Sequence, residues 1–337
     1  MGNEGCEEQE PLNTAPEDQR ILRKLIEVGK LQAQPMNLPG GGTFDFEFVA
    51  NAQFFELLTR SDYFVVPYRR TVANGSTTFS VEDENLMTDW QTFGEARAMD
   101  SSTDASCLVE LPQLTIGGEV RSFEMKSGGG LSIGFGPFGS YETNNIFPSA
   151  NVKVQNAELE VGVKAIDTLE EVLLAGSTGE ATQSRVDLGL NINFGNFSLG
   201  PSYYFQSPLA DVTRNALTKS LNDVIEKLAE EPWYTRVIED RDSHLVIGGG
   251  NRAGLQRGDI LEVYNETHYW SGTPCLSDYR GSISAEQPVA VVKVSQVGPG
   301  VALAQVLEQG QMNPAIGAKV VVRKLVEADP KSEDALK

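Results

Sequence analysis

The chain has 337 residues, of which 40% are hydrophobic and 22% charged, enough for folded cores in roughly two domains of ~150 residues. Its 27 Lys and Arg against 47 Asp and Glu give a net charge of -20, which argues against charge-driven binding to nucleic acid or anionic lipid. Two His and three Cys leave few groups for metal or nucleophile chemistry, and 33 Gly favour turns and strands over a helical bundle.

The N-terminal sequence and the cysteines do not decide the cellular compartment of the protein. Residues 1–16 are acidic, contain proline and predict a flexible terminus. The polar start carries no secretory signal, so the protein is either cytoplasmic or a trimmed mature form. Cys6 is the candidate for lipidation, although the apolar positions of a lipidation site are missing before it. Cys107 and Cys275 are either free buried thiols or a pair in an oxidising compartment.

The next segments predict two helices and a first strand. Residues 17–32 carry apolar side chains near one face at helical spacing, which predicts a helix. The Pro- and Gly-rich stretch 34–42 predicts a loop. A second amphipathic helix around 54–58 leads into a short strand at 63–66, and residues 114–125 read as a further strand.

Residues 181–206 carry the most informative pattern, a hairpin in which apolar and small polar residues alternate around a Gly195–Asn196 turn. Each arm has about the 9–10 residues that a tilted strand needs to cross an outer membrane. The face predicted to meet lipid comprises Val186, Leu188, Leu190, Ile192, Phe194, Phe197 and Leu199. The face predicted to line the lumen comprises Asp187, Gly189, Asn191, Asn193, Ser198 and Ser202.

An earlier segment, about 128–163, predicts a companion hairpin. Leu131, Ile133 and Phe135 alternate with small residues, and a turn is expected from Pro137 to about 145. The return strand changes phase between Val154 and Ala157, which predicts either a β-bulge or a strand that passes from one environment to another.

A soluble β-sandwich is the alternative interpretation, because alternating strands are commonest where one face packs on a core and the other meets water. The polar face of the 181–206 hairpin has no Lys or Glu, only small polar residues and one Tyr. That composition favours a crowded lumen over an open water-exposed sheet.

The last part of the chain predicts one helix and a separate small domain. Apolar residues recur at helical spacing after Pro208. Short strands between 236 and 323 then predict a small all-β barrel over 233–326, followed by a charged tail over 327–337.

No motif in the sequence supports catalysis, a metal or a cofactor. The glycine-rich stretch 248–254 is similar to a dinucleotide-binding turn, but its spacing is one residue too long and a strand follows where a helix should start. His244 and His268 have no partner at metal-ligand spacing, and no nucleophile elbow is present. The sequence therefore predicts a non-enzymatic protein.

Three segments resemble, in order, the curli-secretion channel (CsgG) family. FFELLTRSDYFVVPY at 54–68 is similar to its early helix–strand unit, LTIGGEV at 114–120 to the strand that opens its central sheet, and AELEVGVKAID at 157–167 to the return of its first membrane hairpin. The resemblance covers about 17–232. From 233 onward, WYTRV and LVIGGGNRAGLQRGDILEVY resemble the C-terminal module of the flagellar H-ring protein (FlgT) family.

The resemblance implies an α+β periplasmic domain that forms a homo-oligomeric ring and lends two amphipathic hairpins to one shared outer-membrane β-barrel. It implies an export pore on the periplasmic side of a bacterial outer membrane, with exported polypeptide and outer-membrane lipid as partners. The family's constriction loop corresponds to the stretch around Asn37, Gly40, Gly41 and Gly42, which lacks the family's aromatic residue. The second hypothesis is a soluble periplasmic scaffold, such as a flagellar basal-body outer ring, that binds other envelope-assembly proteins.

Overall fold

The computed structural model describes residues 11–16, 20–37, 43–44, 46–66, 112–127, 132–136, 139–143, 151–184, 191–193, 208–241, 243–270 and 279–326. These residues are mostly β-strand with two α-helices, and they form two hydrophobic cores. The first core lies between a mixed sheet and the two helices, and the second fills a closed β-barrel near the C-terminus.

The mixed sheet is built from strands that are far apart in the sequence. Its described part has the order β10-β8-β5-β1-β4, with β9 also paired to β8, β6 paired to β5, and β7 paired to β6. The strands are β1 (Lys24–Gln32), β4 (Phe64–Val65), β5 (Leu114–Ser127), β6 (Ser132–Gly136), β7 (Gly139–Thr143), β8 (Asn151–Asp167), β9 (Leu173–Ser184) and β10 (Asn191–Asn193). A separate two-residue pair consists of β2 (Met36–Asn37) and β3 (Thr43–Phe44).

The helix predicted for 17–32 is wrong, because this segment contains the central strand β1. β1 pairs in parallel with β5 on one side and with β4 on the other. Gly29 meets Gly117 of β5 so closely that an added Cβ on Gly29 would lie 3.3 Å from the Gly117 Cα. Ile26 and Leu31 are fully buried, so pairing with two neighbouring strands overrides the helical spacing of the apolar residues.

The predicted bulge in β8 is confirmed. Lys126 of β5 pairs with Asn156, and the next residue, Ser127, pairs with Val154, so one residue of β8 is skipped at this point. The pairing of the predicted first hairpin differs from expectation, since β6 pairs with β5 and β7, while the long return strand β8 pairs with β5 and β9.

Two helices cover one face of the sheet. α1 (Phe46–Arg60) lies at the sequence-predicted position and buries Phe54 and Leu58. The side-chain amide of Asn51 accepts a hydrogen bond from the Leu31 N–H at 2.8 Å and donates one to the Leu31 carbonyl at 2.9 Å, so α1 satisfies the open edge of β1. α2 (Pro208–Leu228) is the helix predicted after Pro208, and its proline occupies the first helical position, where no backbone N–H is needed.

The barrel predicted for the last part of the chain is present. Six strands close in the order β11-β12-β17-β16-β13-β18. They are β11 (Tyr234–Arg241), β12 (His244–Gly248), β13 (Ile260–Tyr264), β16 (Ala290–Val297), β17 (Val301–Gln309) and β18 (Lys319–Lys324). Val237, Leu261, Val292 and Val320 are fully buried inside it, as the alternating pattern requires.

A β-ribbon that the sequence did not predict extends from the barrel. β14 (Glu266–Trp270) and β15 (Tyr279–Ser284) pair only with each other among the described strands. They continue β13 and β16, because Ala285 donates a backbone hydrogen bond to the Asn265 carbonyl at 2.9 Å.

The N-terminal segments pack against elements from both halves of the chain. Leu22 belongs to the barrel core, and the Trp233 indole N–H donates to the Arg23 carbonyl at 3.0 Å. Within residues 11–16, part of the stretch predicted to be flexible, the Asn13 N–H donates to the Asn222 side chain of α2 at 2.8 Å.

Candidate functional site

One end of the mixed sheet extends past the last residues of the described core. At this end of β8 the outermost residue of the described core is Ala157, and strand residues 151–156 precede it, which is about 20 Å of strand at ~3.3 Å per residue. On β5 the outermost residue of the described core is Phe123, which pairs with Leu159 and whose ring stacks on Phe46, the first residue of α1, with ring centroids 4.9 Å apart. We call the strand segments beyond Ala157 and Phe123 the extended end of the sheet.

The extended end consists of five strands in the order β10-β8-β5-β6-β7. β10 pairs with the first residues of β8, β6 pairs with the last residues of β5, and β7 returns along β6 from Gly139, which pairs with Gly136. Within the described residues, β10 has no neighbour except β8, and β7 has none except β6. Both outer edges therefore carry backbone groups that no described strand satisfies.

Three of the residues predicted to face the lumen or the lipid lie in this region. In β10, Ile192 pairs with Val152, while Asn191 and Asn193 pair with Lys153 and Asn151. The remaining predicted lumen and lipid positions lie outside the described residues: Val186, Asp187, Leu188, Gly189, Leu190, Phe194, Phe197, Ser198, Leu199 and Ser202. Cys6 also lies outside them.

The candidate constriction loop begins at the same end of the molecule. Asn37 is the last residue of β2 and pairs with Thr43 of β3, so the two strands bracket the predicted loop. β2 lies against β6 and β7. Gly40, Gly41 and Gly42 lie outside the described residues. The structure thus brings Asn37 near the extended end, although the two segments are far apart in the sequence.

The sheet face opposite the helices carries a network of charged residues that the sequence analysis did not single out. The Arg121 guanidinium donates to the Thr178 hydroxyl at 2.8 Å and lies 3.4 Å from the Glu160 carboxylate and 3.3 Å from that of Glu119. The Arg121 guanidinium lies over Gly162, where an added Cβ would be 3.1 Å from the Arg121 Nε. The alternation of charged with buried residues along β5 and β8 was the sequence signal for this face.

A second charged cluster lies where the barrel meets the ribbon. Arg236 donates to the Glu266 carboxylate at 2.7 Å and to the Gly317 carbonyl at 2.8 Å. The Ser284 hydroxyl donates to Glu266 at 3.0 Å, and the His268 Nε2 is 3.8 Å from the same carboxylate. The side chains of Arg236, Glu266 and His268 are less than a tenth exposed, so the ribbon is held to the barrel by buried charged groups.

The cluster shifts the pKa values of its members. Burial opposes ionisation of Glu266, but Arg236 outweighs it, and the pKa of Glu266 lies below its ordinary value. Burial, then the Arg236 charge, lowers the pKa of His268 despite the nearby Glu266. Burial, then the Asp167 carboxylate, raises the pKa of Tyr234. These shifts fit a structural role for the cluster, because Glu266 remains paired and His268 remains neutral.

The described residues contain no cluster of three or more His, Cys, Asp or Glu that could hold a metal ion. None of the described helices is long and apolar enough to cross a membrane.

Comparisons with known proteins identify no family. No family model matches the chain, and no curated protein matches it. A solved structure of the hypothetical protein CT253 from Chlamydia trachomatis is similar with a TM-score of 0.32 and 10% identity, over 61% of this chain and 96% of that one. At this level the likeness carries no argument about fold or function.

Proposed function

We propose that the chain is a non-enzymatic subunit of a ring-forming outer-membrane pore, an export channel of the curli-secretion type. The observation that supports this most is the extended end of the sheet, where five strands run past the described core and both outer edges lack a described partner strand. Lipid cannot satisfy open strand edges, so a membrane-inserted sheet of this kind requires ring closure.

The pairing order gives a physical route to closure. β7 of one copy would pair with the outer arm of the next copy's predicted 181–206 hairpin, and repetition would produce a shared barrel in which each copy supplies the hairpins predicted over about 128–163 and 181–206. Homo-oligomerisation is then a condition for membrane insertion. The partners of this assembly are further copies of the chain, outer-membrane lipid and an exported polypeptide.

In this proposal, the charged face of the sheet would line the aqueous approach to the pore. The Arg121 and Glu160 side chains belong to the same sheet as the extended end, on the face without helices. In a ring, this face would border the aqueous entrance on the periplasmic side, where mixed charges would keep the surface hydrated.

The second candidate is a soluble periplasmic scaffold of an envelope assembly. The observation that favours it is the barrel with its ribbon, a module outside the mixed sheet that leaves Tyr269 49% and Ile283 64% exposed. Apolar side chains at such exposed positions favour contact with another protein.

Reconstitution separates the two candidates. The full chain, purified in detergent, should form rings in negatively stained images and give discrete conductance steps in planar bilayers. Rings without conductance would support the scaffold, and a monomer without conductance would contradict the pore.

A further inference from the structure

A groove of about 1000 Å³ lies on the outer wall of the C-terminal barrel. Leu245, Ile247 and Ala302 are buried in the barrel interior, so the alternate residues of β12 and β17 point outward. Val246 and Leu303 are directly opposite each other in these strands and form the floor of the groove.

The floor of the groove is apolar over several neighbouring positions. Val301 precedes Leu303 on the same face of β17 and is 44% exposed, and the partly buried Val297 and the buried Leu255 of the barrel core also line the groove. Outward positions on a small barrel are ordinarily polar, since they face water. A contiguous set of aliphatic residues there is typical of a surface that another chain covers.

The rim of the groove is cationic in an otherwise acidic chain. Arg241 and Arg257 line it, and Arg252 follows the lining residue Asn251. Arg241 is held by Glu239 at 2.8 and 2.9 Å. Arg252 and Arg257 are exposed and have no ion-pair partner within the part of the chain that the structure describes. Arg257 lines the groove and Arg252 is one residue from its lining, so two guanidinium groups without a carboxylate partner among the described residues are available to carboxylates of a ligand, which they match in geometry.

We propose that this groove binds an extended acidic peptide segment of a partner protein. Aliphatic side chains of the peptide would lie on Val246 and Leu303, and its carboxylates would pair with Arg252 and Arg257. A nucleic acid fits poorly, because the floor is apolar and the described lining residues include no aromatic side chain on which a base could stack. The proposal goes beyond the pore and does not depend on membrane insertion.

The test is selection of peptides from a random heptapeptide library displayed on phage, using the immobilised full chain. The peptides enriched on the natural chain should combine Asp or Glu with Leu, Ile or Val. The double variant Arg252→Glu/Arg257→Glu should lose these peptides and select basic ones instead. Arg280→Glu, an exposed arginine of β15 that does not line the groove, is the matched control and should select the same peptides as the natural chain.

Fluorescence anisotropy of the best-enriched peptide gives the size of the effect. The double variant should weaken binding by about tenfold or more, as expected for loss of charge-assisted hydrogen bonds. Leu303→Ser should also weaken peptide binding, because it removes an apolar side chain from the floor of the groove and leaves the charge unchanged. Thermal unfolding of each variant establishes that the barrel is folded.

Three results would overturn the proposal. The first is selection without acidic enrichment, or equal binding of the peptide by the natural chain and the double variant. The second is tighter binding of a peptide of residues 327–337 than of any library peptide, which would assign the groove to this chain's own tail. The third is self-association that the double variant abolishes in sedimentation experiments, which would assign it to a second copy.

Discussion

The guanidinium of Arg20 and the carboxylate of Asp259 form a buried two-point ion pair across 239 positions of the chain. The Arg20 Nη1 lies 2.9 Å from the Asp259 Oδ1, and Nη2 contacts the second carboxylate oxygen. The side chain of Asp259 is fully buried and that of Arg20 is 12% exposed. The same guanidinium donates to the carbonyls of Gly254 and Val326. This arrangement ties the segment before β1 to the loop before β13.

Replacing Arg20 by Met should destabilise the protein by about 3–5 kcal/mol, because it leaves the Asp259 carboxylate buried without its counter-charge. Urea unfolding followed by tryptophan fluorescence, to which Trp233 in the barrel core contributes, measures the change. Arg23→Met is the matched control. The Arg23–Asp62 pair is nearly half exposed and 3.2 Å long, so its loss should cost less than about 1 kcal/mol. Equal effects of the two substitutions would contradict this account.

The barrel was predictable from the sequence because its strands are short and alternate inside and outside residues. The helix α2 was predictable for a similar reason, since its apolar residues keep one spacing from Pro208 to Leu228. β1 was not predictable in the same way. The spacing of Leu22, Leu25 and Ile26 fits a helix. The segment is a strand because it pairs with β4 and β5.

Contacts between distant segments had no local signal in the sequence. Nothing near Arg20 indicates Asp259 as its partner, and nothing near Arg121 indicates Thr178. The ribbon of β14 and β15 was not predicted, because polar residues such as Glu266 and His268 do not give the alternating apolar pattern of a buried strand. They are buried because Glu266 pairs with Arg236 of the barrel. Of the extended end, the alternation and the bulge were predictable, whereas the pairing of β6 with β5 depends on tertiary structure.

Gly179 should tolerate no side chain. A Cβ at this position of β9 would lie 2.0 Å from the Ala216 carbonyl oxygen and 2.7 Å from the Ser220 nitrogen of α2. Gly179→Ala should therefore force the helix away from the sheet and lower the free energy of unfolding by about 1–3 kcal/mol. Gly176→Ala on the same strand is the control, because its nearest neighbour would be 3.8 Å away. A loss at Gly176 as large as that at Gly179 would show that the close helix contact is not the cause.

Acidification should lower the free energy of unfolding, because His268 becomes protonated. Its folded-state pKa lies below the ordinary value of 6.5, so the folded protein binds this proton less tightly than the unfolded chain does. The stability contribution is complete above pH ~6.5 and is lost as the pH falls below it. The groups that face His268 are Glu266 on its own strand and Arg236 on β11, with Lys319 of β18 also acting on Glu266.

Urea unfolding at a series of pH values between about 7.5 and 5.5 measures this effect. His268→Gln should reduce the loss of unfolding free energy over that range. His244→Gln replaces the other histidine, outside the cluster, and serves as the control. An unchanged pH slope in His268→Gln would mean that another group causes the acid sensitivity.

Membrane insertion should depend on which of two adjacent residues carries a charge. Leu190 is predicted to face lipid and Asn191 the lumen, because side chains alternate along a strand. Leu190→Arg should block insertion, at a cost of about 2–4 kcal/mol for a charge near the bilayer midplane in each copy. Asn191→Arg should insert normally and shift the ion selectivity of the pore toward anions. Membrane flotation measures insertion, and bilayer recordings measure selectivity. If both variants insert equally well, the hairpin does not lie in the membrane with the predicted faces, and the pore proposal fails.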